Sequence, residues 1–153
     1  HGPRGGDEIN LIRERDSIRE EPLLTRNYGW PIVSNGINYN GTSFTNLTSM
    51  EGTESPLYFW TPSIAPSGLV MLTSDIYDEW KGNLFIGSLR FRYLERVELI
   101  GNYVYKREKL LDRVGRVREV VQGPDGYLYV GIENKGVFKI IPSKVYIEND
   151  ISE

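Results

Sequence analysis

Cysteine is absent from this 153-residue chain, and histidine occurs once, at His1. Without thiols there is no disulfide, no thiolate metal site and no cysteine nucleophile. A single histidine cannot build a histidine-rich zinc site. No apolar run approaches the ~18 residues of a membrane helix, and the polar, glycine-rich stretch His1-Gly2-Pro3-Arg4 has none of the character of a signal peptide. Basic charge is in short supply as well: 18 Lys and Arg stand against 21 Asp and Glu, a net charge of −3. That balance argues against a nucleic-acid partner, whose phosphates demand a basic face. What the chain does have is 16 Gly, 8 Pro and 10 Tyr, a mixture that favours turns and strands over helices. Its length suits one domain with a sizeable core, and 39 % hydrophobic with 25 % charged residues is ordinary for a globular protein.

The main organising signal is a repeat. Trp80-Lys81-Gly82-Asn83-Leu84-Phe85-Ile86-Gly87 is echoed by Gly123-Pro124-Asp125-Gly126-Tyr127-Leu128-Tyr129-Val130-Gly131. Each places a glycine turn before an aromatic-aliphatic strand. Each is followed by a second strand, Leu94–Leu99 or Val137–Ile141, and preceded by an earlier one, Gly68–Leu72 or Val117–Val121. Leu94–Leu99 is expected to bury one face. Aligning Leu84 with Leu128 gives a spacing of 44 residues, within the ~40–50 of four-stranded propeller blades. Two nearly complete blades are expected over about 57–142, with part of a third before them; the repeat alone also leaves open a β-sandwich of evenly spaced hairpins. Residues 13–26 read as a charged surface excursion stopped by Pro22, residues 35–54 as a long polar loop, and 143–153 as a tail. The sequons Asn40-Gly41-Thr42 and Asn46-Leu47-Thr48 fall in a loop so rich in Asn and Thr that chance explains them.

Several motifs carry a more specific resemblance. They are Gly2-Pro3-Arg4-Gly5-Gly6-Asp7-Glu8-Ile9-Asn10, Asn27-Tyr28-Gly29-Trp30-Pro31, Trp60 to Gly68, Gly82 to Leu89, and Arg116-Val117-Arg118 leading to Gln122-Gly123-Pro124-Asp125-Gly126. In this order they resemble the pyrroloquinoline-quinone-dependent soluble glucose and aldose sugar dehydrogenases, the glucose/sorbosone dehydrogenase family, over residues 1 to about 142. The resemblance implies an all-β fold, part of a six-bladed β-propeller, with residues 1–153 as its C-terminal portion. Two or three blades cannot close a ring, so the chain is expected to be a fragment completed by N-terminal blades, or else by a second copy.

The residues taken singly read as follows. Gly2-Pro3 is a turn by itself. In the family its two carbonyl oxygens help hold the calcium ion beside the cofactor, a role suited to hard, uncharged oxygen donors, and the ion polarises a quinone carbonyl. Arg116 and Arg118 are two apart on an expected strand and so share a face. Two guanidinium groups there repel unless an anion or carboxylates lie between them. Forked arginine donors match a flat quinone bearing three carboxylates, and the resemblance puts this pair at the cofactor. Arg90 falls where the family usually has a cofactor-contacting Lys. Trp60 corresponds to an aromatic of the sugar pocket, with Tyr58 on the same face; a core tryptophan is the competing reading. Glu8 and Tyr28 match a second, structural calcium site, which the longer 13–26 excursion between them disturbs. Glu133 lies where some relatives carry an Asp near the active-site rim.

The family's general base is a His from an earlier blade, which takes the proton of the anomeric hydroxyl as hydride leaves the carbon. His1 is not that base. The chain is therefore expected to be an incomplete oxidoreductase: part of a site oxidising an aldose to its lactone with pyrroloquinoline quinone and Ca2+, passing electrons to an external acceptor, with no membrane span, in the periplasm or outside the cell. The alternative from another class is a non-catalytic propeller module that binds a protein or carbohydrate partner.

Overall fold

The computed structural model describes residue 2 and residues 4–12 and 26–143. His1, Pro3, residues 13–25 of the charged excursion at 13–26, and residues 144–153 of the tail lie outside the described residues. The chain divides into two compact units, His1–Ile64 and Ala65–Glu153.

In the first unit, short strands β1 (Asp7–Ile9) and β2 (Tyr58–Trp60) pair antiparallel, with Asp7 opposite Trp60 and Ile9 opposite Tyr58. The described residues between them are mostly irregular, as the Asn, Gly, Thr and Ser content of 35–54 predicts. Side chains here hydrogen-bond their own backbone instead of a ladder. The Thr42 amide and hydroxyl both donate to Asn40 Oδ1 at 3.0 and 2.7 Å, and the Thr45 hydroxyl donates to the Ile32 carbonyl at 2.5 Å.

The second unit holds the repeat. Strands β3 (Pro66–Met71), β4 (Leu84–Ser88), β5 (Leu94–Ile100) and β6 (Tyr103–Leu110) form a four-stranded antiparallel meander. Strands β7 (Val117–Gln122), β8 (Leu128–Ile132) and β9 (Gly136–Lys139) form a three-stranded one. The two sheets share one core, with Leu72, Tyr77, Phe85 and Leu94 from the first meander and its loops against Val117, Val120, Leu128, Val130 and Ile132 from the second. Each of these side chains contributes roughly 1.5–3 kcal/mol on leaving water. The chain is thus all-β and built as part of a β-propeller, as expected.

Three details differ from the sequence reading. The first blade starts at Pro66, not near 57, because β2 pairs with β1 in the first unit. Strand β6, a run of Tyr, Lys, Arg and Glu, carries little apolar signal because it is the exposed outer strand of its sheet. Strand β5 buries both faces: Leu94 and Val97 are covered, and so are Glu95 and Arg96 between them. Those charges are met by partners. Arg96 Nε and Nη2 grip Glu108 at 2.9 and 2.8 Å, its Nη1 donates to Asn83 at 2.9 Å, and Arg107 lies 3.3 Å from Glu95.

The ladders agree with the repeat: Leu84 pairs with Met71 as Leu128 pairs with Gln122, and the Leu72 amide bonds the Asn83 carbonyl as the Gly123 amide bonds the Tyr127 carbonyl, so the spacing of 44 residues holds. Strand β3 is bulged between Ser67 and Leu69, and β7 between Val117 and Glu119.

Candidate functional site

The start of β7 is where the unit's chemistry collects. An uninterrupted strand would turn Val117, Glu119 and Val121 to one face. The bulge inserts Arg118 as an extra residue, so that Val117 and Val120 both point into the core while Arg118 and Glu119 stay exposed. Arg116 precedes the strand, and its carbonyl accepts the Glu133 amide at 2.9 Å. Glu133 follows directly on β8, at the head of a tight turn in which Asn134 adopts φ 60° and the Lys135 amide returns to the Ile132 carbonyl at 3.0 Å.

Its carboxylate lies between the two arginines. Arg116 Nε stands 3.3 Å from Glu133 Oε2, and Arg118 Nη2 donates to Glu133 Oε1. Both guanidinium groups are about half exposed, at 46 % and 48 %, and Glu133 is more covered. The hydrogen bond from Arg118 is the main reason the Glu133 carboxyl is held below its ordinary value; the charges of Arg116, Arg118 and Arg92 add to it against a desolvation effect of opposite sign. The expectation that a shared face would need a carboxylate between its cations is met by a residue of the chain itself.

Neighbouring small residues hold this strand start in place. The Ser67 hydroxyl donates to the Val117 carbonyl, tying β3 to β7. A side chain on Gly87 would come within 2.7 Å of both Val117 Cγ1 and the Ser67 carbonyl. Because Ser88, at the end of β4, pairs with Pro66, the loop after β4 lies at the same end of the unit as Arg116. That loop carries Arg90, whose guanidinium sits 5.1 Å from the centre of the Phe91 ring, and Arg92. A cavity of about 580 Å³ elsewhere in the unit, walled by Tyr77, Trp80, Ile140 and Ile141, involves none of these residues.

In the first unit, Gly2 is fixed by Asp7. The Gly2 amide donates to Asp7 Oδ1 at 2.6 Å, and the Ser63 hydroxyl donates to Asp7 Oδ2 at 2.6 Å. Asp7 is 2 % exposed, and a side chain on Gly2 would collide with the Gly5 carbonyl. Asp7 was not singled out from the sequence; the signal available was a carboxylate opening a strand straight after two glycines. Tyr58 and Trp60 share a face of β2, with their rings edge to face at 5.1 Å, and Trp60 is buried, at 4 % exposed. Glu8 accepts from Asn10 Nδ2 at 3.1 Å, whereas the Tyr28 hydroxyl donates to the Leu11 carbonyl at 3.1 Å, so the two side chains bond to different groups. Among the described residues no group of three His, Asp or Glu side chains is arranged to hold a metal ion.

The model of the family described as glucose / sorbosone dehydrogenase matches residues 1–140. The chain belongs to the glucose / sorbosone dehydrogenase family. Within it, the chain is 41 % identical over 133 residues to aldose sugar dehydrogenase YliI of Escherichia coli K12, a match covering 85 % of this chain and 33 % of that protein. A glucose dehydrogenase of known crystal structure superposes with a TM-score of 0.79 at 39 % identity, over 93 % of this chain and 40 % of that one. The PQQ-bound form of an aldose sugar dehydrogenase from Streptomyces coelicolor shares the fold, with a TM-score of 0.52 at 22 % identity over 86 % of this chain and 34 % of that one. The chain thus spans about a third of the length of the curated relative. No helix among the described residues is long and apolar enough to cross a membrane.

Proposed function

We propose that residues 1–153 are the C-terminal portion of a glucose/sorbosone-type quinoprotein that oxidises an aldose to its lactone, with pyrroloquinoline quinone and Ca2+, in the periplasm or outside the cell. The observation that carries the reading is the Arg116–Glu133–Arg118 cluster: two half-exposed guanidinium groups sharing one carboxylate keep net positive charge and N–H donors to spare. That donor set fits a flat ligand with several carboxylates. The first unit fits calcium in a plainer way, through a Gly2 main chain anchored by a buried carboxylate.

When bound, the quinone, polarised by calcium, would accept the hydride leaving the anomeric carbon of the sugar. The residues of this chain bind and orient. Arg116 and Arg118 would take cofactor carboxylates, and Arg90 would contribute a third cation from the neighbouring loop. The carbonyl oxygens of Gly2 and Pro3 would hold the active-site calcium, and Glu8 with Tyr28 a structural one. Trp60 and Tyr58 would border the sugar. The proton of the anomeric hydroxyl would pass to a histidine outside this chain, since His1 is its only histidine. Electrons would leave to an external acceptor.

The test is dye reduction by several aldoses, with cofactor and calcium added to the full-length protein and, separately, to residues 1–153. Turnover by the former and none by the latter is expected. Absence of both turnover and quinone binding in the full-length protein sinks the reading.

A further inference from the structure

Glu133 reaches the two arginines in an uneven way. It meets Arg116 through Nε, the nitrogen nearest the stem, and Arg118 through a single terminal nitrogen. Both terminal nitrogens of Arg116, and Nε and Nη1 of Arg118, have no hydrogen-bond partner among the described residues. The carboxylate itself has a fixed origin, because the Glu133 amide is bonded to the Arg116 carbonyl across the ladder. The backbone that carries one arginine therefore also sets where the shared carboxylate stands. Arg118 is brought to it by the bulge, so the cluster depends on one extra residue in β7.

Two opposite consequences follow for an anionic ligand. The negative charge of Glu133 opposes its approach. Against this, two long side chains that would otherwise repel and wander are held in one arrangement with donors to spare, so less rotamer freedom is lost on binding. The geometry favours the second effect, since Glu133 occupies the stem-side nitrogen of Arg116 and leaves its terminal fork intact. We propose that Glu133 is a positioning residue, which clamps Arg116 and Arg118 into a ready fork for the carboxylates of a flat polycarboxylate cofactor. This rests on the reading of the arginine pair as the cofactor's anchor.

The two effects differ in sign, which makes the test decisive. Binding of pyrroloquinoline quinone, and of the redox-inert benzene-1,3,5-tricarboxylate, is measured calorimetrically on full-length protein at several salt concentrations, with melting curves to verify folding. Glu133→Gln is expected to weaken binding of both probes roughly tenfold, the scale of a lost charge-assisted hydrogen bond. Its salt dependence should steepen at the same time, because an uncompensated arginine pair interacts more strongly with ions. A generally loosened fold would not steepen it. Glu133→Asp keeps the charge on a shorter stem and is expected to fall between; it decides the matter if the Gln variant melts early. Binding that is unchanged or tighter in Glu133→Gln, while Arg118→Ala loses it, overturns this inference and leaves the anchor reading standing. No binding by the unsubstituted protein overturns both.

Discussion

At the scale of the residue, the recurring pattern is a polar group taken out of water and met at once by a partner. Asp7 receives a main-chain amide and a hydroxyl, Arg96 receives Glu108 and Asn83, and Glu95 receives Arg107. Among the described residues no buried side-chain nitrogen or oxygen lacks a hydrogen-bond partner. Tyr93 shows what such burial does to a titration. It is 3 % exposed, and its phenol is pushed up from 10.0 to about 12, first by burial and then by the neighbouring Glu95 charge, with Arg107 acting the other way. The folded state therefore favours the neutral phenol. Its stabilising contribution is complete below pH 10 and is lost as pH rises towards 12, because the unfolded chain releases the proton first. Denaturant titrations across that range should show stability falling with pH. Tyr77, Tyr129 and Lys139 are also raised above their ordinary values, so the diagnostic quantity is the difference from Tyr93→Phe, which should have the shallower slope. Identical slopes for the two proteins would dismiss the argument.

At the scale of the element, the bulges of β3 and β7 explain why strand-like sequence yields a site. They abut: a side chain on Gly68, the extra residue of β3, would stand 2.7 Å from the Val120 amide in β7. Gly68 also has φ 52°. Gly82 has φ 81° but nothing within 4 Å of the space a side chain would fill, which makes it a control. Gly82→Ala is expected to cost about 1 kcal/mol, the conformational penalty alone. Gly68→Ala adds crowding against backbone and should cost about 1–3 kcal/mol more. Equal melting temperatures for the two variants would mean that the sheets do not meet at Gly68. These bulges also mark the boundary of what could be read in the sequence. The repeated strands were legible because Gly82 and Gly126 sit in turns just before apolar runs, and β6 was not, because an exposed outer strand needs no apolar face. Arg116 and Arg118 flank the inward Val117, as simple alternation places them, but the carboxylate that meets both is brought opposite Arg116 by the bulge, which no local pattern signals. Asp7 was equally hidden, since its importance lies in partners outside its own strand, among them the Gly2 amide and the Ser63 hydroxyl. Glu133 was visible only as a rim carboxylate; its proximity to both arginines follows from the β7–β8 register, which depends on the bulge.

At the scale of the whole molecule, what stands out is an unequal pair of sheets. In the four-stranded sheet, β6 covers the outer edge of β5. In the three-stranded sheet, nothing among the described residues pairs with the outer edge of β9. All four residues of β9 are exposed, Val137 at 72 % and Phe138 at 42 %. Charge usually protects such an edge, but the single charged residue of β9, Lys139, is drawn aside: its ammonium lies 3.0 Å from Asp125 and 3.8 Å from the centre of the Tyr127 ring. An apolar strand edge with its lysine engaged is a template for another strand. The 153-residue chain by itself is therefore expected to associate with rising concentration, seen as an increasing weight-average mass in sedimentation. Val137→Lys places an unengaged charge on the same strand and should shift that association to higher concentration, while leaving the core of Phe85, Val120 and Val130 untouched. A chain that sediments as a monomer at every concentration would show that β9 is protected after all. In that case the explanation based on its exposed edge would have to be abandoned.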